Sequence, residues 1–179
     1  MTEGEPAGVT TIRTAQLTLR RARPDDFEPI RAMLSDARAM RYWSTLPHES
    51  PAESEKWFAA QFFSGDPERD EWIIALDDRA IGFIGFWKRP EFGFMLAPEV
   101  WGQGFATEAA RAFVDYAFAA HPVSAITADV DPRNGASLGV LAKLGFVETG
   151  RAERTFLIGG QWYDSVFLAL PRSNGALHG

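Results

Sequence analysis

The run Trp101-Gly102-Gln103-Gly104-Phe105-Ala106 sets two glycines between a strand-like segment ending at Leu96 and a helical pattern that begins at once after them. Such a turn can hold an anion. The first turn of a helix leaves backbone N–H groups without intrahelical acceptors, and the macrodipole makes that end positive. Glycine lets the backbone approach a phosphate with no Cβ in the way, and small Ala106 permits close packing of the helix on its strand. The same residues would also make a plain strand-to-helix turn in which glycine only supplies a positive φ. A P-loop is excluded, because no Lys-Ser or Lys-Thr pair follows the glycines. A dinucleotide fingerprint is matched at Gly102 and Gly104, with Asp129 as a candidate ribose-binding acid. It fails at its third position, which is Thr107, and only one further helix follows where a series of βαβ units is needed.

Two carboxylates are candidates for proton transfer. Glu91 opens the strand that leads to the turn and is the first choice as a general base, the other reading being an exposed strand-edge carboxylate. Asp129 is second. Thr127, Asp129 and Asp131 alternate onto one face of their strand and Ala128 and Val130 onto the other, so the acidic face meets either substrate or water. His48 titrates in a useful range, but it lies between Pro47 and Glu49 in a loop and reads as structural.

Composition narrows the partners. The 179 residues suit one domain, and 46% hydrophobic with 13% aromatic residues is enough for a substantial core. A net charge of -6 argues against sequence-independent nucleic-acid binding, which needs clustered Lys and Arg. Cysteine is absent, which removes disulfides, thiolate metal sites and a cysteine nucleophile. The first 11 residues do not look like a signal peptide, and no apolar run approaches the roughly 18 residues of a membrane span. A cytoplasmic protein without membrane or nucleic-acid partners is expected, with no metal.

The elements that must position these residues follow from periodicity. Residues 1–11 and 172–179 are small and polar and are expected to fray, leaving 12–171 as one domain. Leu17 to Leu19 reads as a first strand, and Pro24-Asp25-Asp26 starts a helix expected to run to about Ala39. A second helix covers Ala52 to Phe63. Glu71 to Leu76, Ala80 to Lys88 and Glu91 to Leu96 read as three antiparallel strands. Ala106, Ala109, Ala110, Phe113 and Ala117 form the stripe of a helix ending near His121. A strand at Ala125 to Val130, a helix at Asn134 to Leu144 and a hairpin around Gly159-Gly160 complete an α/β order that begins as a meander and gains a helical crossover.

Read together, these motifs resemble the GNAT superfamily of N-acetyltransferases, over nearly the whole chain. The family's acyl-CoA loop is Arg or Gln, two residues, Gly, one residue, then Gly or Ala. Gly104-Phe105-Ala106 fits its second half, while Trp101 stands in the basic position. The run from Pro98 to Ala109, the opening Thr14 to Arg20 and the closing Tyr163 to Val166 resemble the branch that acetylates ribosomal-protein N-terminal amines. Downstream, Asn134-Gly135-Ala136-Ser137 and Lys143-Leu144-Gly145-Phe146 resemble the family's Asn-x-x-Ser helix and its Lys-x-Gly-Phe closure. The resemblance implies an α+β fold with a mixed, mostly antiparallel sheet, about four flanking helices and a V-shaped cofactor slot between central strands.

It also implies acetyl transfer from acetyl-CoA to a primary amine, either a protein N-terminal α-amine or a small-molecule amine. A non-catalytic acyl-CoA module, and monomer or homodimer, remain alternatives. Backbone amides from Trp101 to Thr107 (through Gly102, Gln103, Gly104, Phe105 and Ala106) would bind the pyrophosphate. The strand at Phe94, Met95 and Leu96 would pair with the pantetheine arm like an added strand, a β-bulge there opening the slot. Asn134, Ser137 and Lys143 complete the cofactor side. Ser137 is the implied proton donor, with Tyr163 as alternative, and Asn134 doubles as a helix N-cap. Trp43, Trp57, Phe86, Trp87 and Trp162 are candidate walls of the acceptor site, the other reading of each being a core residue.

Overall fold

The structure, a computed structural model, describes residues 8–173, and the fraying expected of 1–7 and 174–179 lies outside the described residues. One eight-stranded sheet runs through the molecule: β1 (Thr11–Arg13), β2 (Thr18–Arg20), β3 (Asp70–Leu76), β4 (Arg79–Lys88), β5 (Glu91–Leu96), β6 (Ala125–Val130), β7 (Val147–Ile158) and β8 (Gln161–Pro171). Their spatial order is β1-β2-β3-β4-β5-β6-β8-β7. Every neighbouring pair is antiparallel except β5 and β6, which are parallel. Four helices flank the sheet: α1 (Phe27–Leu34), α2 (Pro51–Phe62), α3 (Phe105–Ala120) and α4 (Gly135–Lys143). The mixed, mostly antiparallel α+β architecture expected above is what the chain adopts.

Two apolar cores lie on opposite faces of the sheet. On one, α3 packs Ala109, Ala110, Phe113 and Ala117 against Trp72, Ile84, Phe86 and Phe92, all buried. The helical stripe read from spacing is this face. Phe113 is sealed between Phe86 and Phe92, with ring centroids 5.2 and 5.8 Å away, so truncating it to Ala should cost about 3–5 kcal/mol. On the other face, α1 and α2 bring Ile30, Met33, Leu34 and Phe58 onto Ile73, Phe83 and Met95. Because β3 and β4 are covered on both faces, they read as continuous apolar runs without alternation.

Two elements depart clearly from the sequence reading. β1 was absent from it, since its three residues carry one apolar side chain, Ile12, which pairs with Leu19. Helix α1 ends at Leu34, not Ala39. The Ser35 hydroxyl donates to Arg31 O at 2.7 Å, Asp36 Oδ1 accepts from the Arg38 amide at 2.8 Å, and the Leu34 carbonyl accepts from the distant His48 N–H at 2.8 Å. These local and tertiary bonds replace the next helical turn. At the other end of the domain, Arg172 donates to the carbonyls of Phe118, His121 and Val123 at 2.7, 2.6 and 2.9 Å, tying β8 to the end of α3.

The junction of β5 and β6 matters most for function. They share a single residue pair, Glu91 with Thr127, supported by Thr127 N–H donating to Pro90 O at 3.0 Å. Beyond it the strands diverge, each continuing to pair with its outer neighbour, β4 or β8. The expected β-bulge at Phe94 to Leu96 is absent. Those residues keep regular register with Ile84, Phe83 and Gly82, and the irregularity in this pair lies at Phe86/Lys88. The slot opens because two half-sheets part from one shared pair.

Candidate active site

The open ends of β5 and β6 are both carboxyl ends, and each leads to a helix N-terminus, the setting in which open α/β sheets bind ligands. At the β5 lip, a short turn (Pro98–Val100) brings the chain to Trp101, whose indole Nε1 donates to Leu96 O at 2.9 Å. That bond gives a structural reason for tryptophan at the position: it straps the turn to the strand. Gly102 and Gly104 follow at φ 73° and 82°, left-handed conformations that disfavour other residues. Gly104 is the N-cap of α3 and provides no side-chain cap. The first intrahelical donor is Glu108 N–H, to Gly104 O at 3.1 Å, so the amides of Phe105, Ala106 and Thr107 have no helical acceptor. A Cβ added at Gly102 or Gly104 would meet nothing within 4 Å. Unpaired donors facing open space at a positive helix end fit a phosphate group.

Behind the turn lies an open groove of about 590 Å³ bordered by Thr14, Gly104, Thr107, Glu108, Arg111 and Lys143, among others. Lys143 was expected there, whereas Arg111 was missed, although it follows Thr107 by one helical turn and so shares its face. Glu108 fixes the β1–β2 loop as one wall. It accepts from the Thr14 hydroxyl, the Gln16 amide at 2.7 Å and Gln16 Nε2 at 2.9 Å. Desolvation works against its ionisation, but these bonds outweigh it and hold the carboxyl below its usual range.

At the β6 lip, Asn134 caps α4 by accepting from Ser137 N–H at 3.1 Å. Ser137 is half-buried, and its hydroxyl has no hydrogen-bond partner among the described residues. Helix α4 fully buries only Leu141, which leaves much of it facing the groove and solvent. Just before it, Arg133 is bound to Asp131 at 2.6 and 2.9 Å and sits under the Tyr163 ring at 4.9 Å. Its hydrogen bond lowers the Asp131 pKa. Tyr163 donates its hydroxyl to Gln161 at 3.2 Å.

Glu91 stands at the apex of the slot opposite Thr127, and Asp129 lies two residues beyond Thr127 on β6. Glu91 accepts from Trp87 Nε1 at 3.0 Å and is half-buried. Burial pushes its pKa up and the nearby Asp129 charge adds to this, while the Trp87 bond and Lys88 act in the opposite direction. Burial also raises Asp129, opposed by the Ser165 hydroxyl. Two carboxyls whose pKa values are pushed up in a partly covered cleft are candidates for proton transfer.

Of the aromatic candidates, Trp43 and Trp57 pack on Phe83 at 5.7 and 5.3 Å, on the α1/α2 face. Trp87 and Trp162 are each 44% exposed. Phe86 is not a wall: it points to the opposite face, fully buried against Phe113. His48 is buried with Nδ1 3.0 Å from the Ser54 hydroxyl, in the structural role its position suggested. A third carboxyl was missed altogether. Glu71 on β3 is buried, and desolvation pushes its pKa up to about 8.

Comparison with known proteins agrees with this geometry. Residues 16–147 match the model of the acetyltransferase (GNAT) domain. The uncharacterized N-acetyltransferase YoaA of Bacillus subtilis is 32% identical over 165 residues, covering 86% of this chain and 92% of its own. A crystal structure of spermidine N-acetyltransferase from Vibrio cholerae, in complex with CoA and spermine, superposes with a TM-score of 0.78. It is 26% identical and covers 89% of this chain and 97% of its own. A ribosomal L7/L12 alpha-N-protein acetyltransferase shares the fold at TM-score 0.81, with 18% identity and coverage of 94% and 99%. The diverging central strands, the uncapped glycine turn and the match of the domain model lead to one conclusion: the chain is an enzyme of the GNAT acetyltransferase family.

Proposed function

We propose that residues 12–171 form a catalytic domain that moves an acetyl group from acetyl-CoA to a cationic primary amine in the cytoplasm. The observation that carries this reading is the parting of β5 and β6 from one shared pair, with the open glycine turn at one lip and two raised carboxyls at the apex. In this assignment the amides from Gly102 to Thr107 hold the pyrophosphate, and Lys143 and Arg111 neutralise charge at the nucleotide end. The inner edge of β5 at Phe94, Met95 and Leu96, together with Asn134, holds the amide-rich arm. When bound, acetyl-CoA would supply the thioester carbonyl that the amine attacks.

Glu91 then takes a proton from the incoming ammonium, directly or through water, and Asp129 beside it keeps that site basic. The neutral nitrogen forms its bond to the acetyl carbon as the carbon–sulfur bond breaks. In this reading the Ser137 hydroxyl, unpartnered among the described residues, gives its proton to the departing thiolate and regains one from the acylated nitrogen, which sheds its second proton as the amide forms. Because both Glu91 and Asp129 are shifted upward, kcat/KM should rise with pH through a midpoint above the ordinary carboxylate range of about 4. In Glu91→Gln that limb should disappear.

The acidic apex supports a small cationic acceptor, and the spermidine acetyltransferase among the relatives supports the same class. A protein N-terminal α-amine, implied by the branch resemblance, is the competing acceptor. Thiol release from acetyl-CoA, measured against polyamines, amino acids, aminoglycosides and N-terminal peptides, decides between them. Release with none of these, alongside thermal stabilisation by acetyl-CoA, would mean a binding module and overturn the proposal.

A further inference from the structure

Glu71 faces the α1/α2 side of the sheet in register with Gly85, which is in register with Gly93. Two glycines side by side leave a lane without side chains from β3 across β4 to β5. At Gly85 strand β3 and the Glu71 side chain close over that lane, since an added Cβ would clash with Asp70 O and would lie 2.6 Å from Glu71 Cα and 2.7 Å from its Oε2, so the carboxyl marks the covered end. A Cβ added at Gly93 would meet nothing within 4 Å, so the far end of the lane is open space. Gly93 is two residues along the strand from Glu91, on the same face and at the same apex.

The carboxyl is held firmly but lacks a counter-ion. Gln61 Nε2 donates to Glu71 Oε1, and Gln61 Oε1 in turn accepts from Arg69 at 2.8 Å, which fixes the amide's orientation. Arg69 pairs with Asp66 at 3.8 Å, and no cation lies within ion-pair distance of Glu71 among the described residues. Oε2 takes no hydrogen bond among them either. Yet Glu71 is only 8% exposed. The charged neighbours that act on it are Arg69, which favours the anion, and Asp70, which opposes it. Phe83, next to Gly85 on this face, carries Trp57 at 5.3 Å and Phe62 at 6.1 Å, an aromatic flank suited to methylenes and to ammonium.

We propose that Glu71 selects the acceptor: its free Oε2 binds a second cationic nitrogen of an aliphatic diamine or polyamine whose other amine lies above Gly93 for acetylation. The proposal rests on the acetyltransferase reading and narrows its substrate. Cross-strand neighbours stand about 5 Å apart, close to the span of about three or four methylenes between two nitrogens. Burial pushes this carboxyl's pKa up to about 8, and a bound cation favours the anion, so binding there should release a proton at neutral pH.

The test compares putrescine with n-butylamine, which has the same chain and no second nitrogen. For the unmodified enzyme, kcat/KM should favour putrescine by at least about 30-fold, and Glu71→Gln should remove most of that preference while n-butylamine changes less than about threefold. Glu71→Gln is isosteric and can keep the Gln61 bond. Equal losses on both amines, or no preference in the unmodified enzyme, would overturn the proposal while leaving amine acetylation intact. Calorimetry of putrescine binding to the CoA complex, in two buffers of different ionisation enthalpy at neutral pH, gives an independent readout if no amine turns over. Proton release that vanishes in Glu71→Gln supports the assignment; binding without proton release in either form sinks it.

Discussion

The two lips of the slot are built from opposite kinds of helix start. Helix α3 begins at Gly104, which has no side chain to offer and leaves its first amides unanswered. Helix α4 begins at Asn134, whose side chain answers one of its own helix's amides at 3.1 Å. The first end keeps its donors for a ligand, and the second satisfies one internally and presents a side-chain hydroxyl, Ser137. Under the proposed function this difference divides the labour, with binding at the β5 lip and proton delivery at the β6 lip.

Substitutions on either side should break this contrast in different measurable quantities. The largest effect is expected at the α4 lip: Ser137→Ala should lower kcat by about 100-fold, in line with the loss of a general acid, with acetyl-CoA affinity nearly unchanged. Next, Gly104→Val should weaken acetyl-CoA binding by about 30-fold or more in calorimetry, because a β-branched residue is poorly tolerated at φ 82° and its Cβ would occupy the open space before the amides. Asn134→Ala should cost about 1 kcal/mol of stability in denaturant unfolding, the usual penalty for a lost N-cap, and change cofactor affinity little. Gln103→Ala should alter affinity less than about twofold, since no side-chain hydrogen bond of Gln103 is found among the described residues. If Gln103→Ala and Gly104→Val proved equal, the backbone account of the β5 lip would be wrong. If Asn134→Ala rivalled Gly104→Val in affinity, the division between the lips would be.

The lips were legible in the sequence because they are local. A strand, two glycines and a helical stripe lie within adjacent residues, and Asn134 stands directly before its helix. What could not be read depends on register between distant strands. Glu71 gains its meaning only when Gly85 and Gly93 line up beside it. Phe86 could not be told apart as core or wall because β4 is buried on both sides, so its apolar run carries no inward or outward alternation. The early end of α1 is set by His48, fourteen positions after Leu34 in the chain, so helical propensity alone overshoots. The slot was expected from resemblance, but its cause, a single shared pair in place of a bulge, follows from how the two half-sheets meet.

That single pair, Glu91 with Thr127, also has a consequence for the empty protein. A sheet that stops pairing halfway exposes strand edges, and exposed edges invite other chains to add to them. Here the unpaired edges of β5 and β6 face each other inside the molecule and converge to a closed corner. The half-ladder left unmade thus turns two unpaired strand edges toward each other instead of outward, where another chain's strand could add to them.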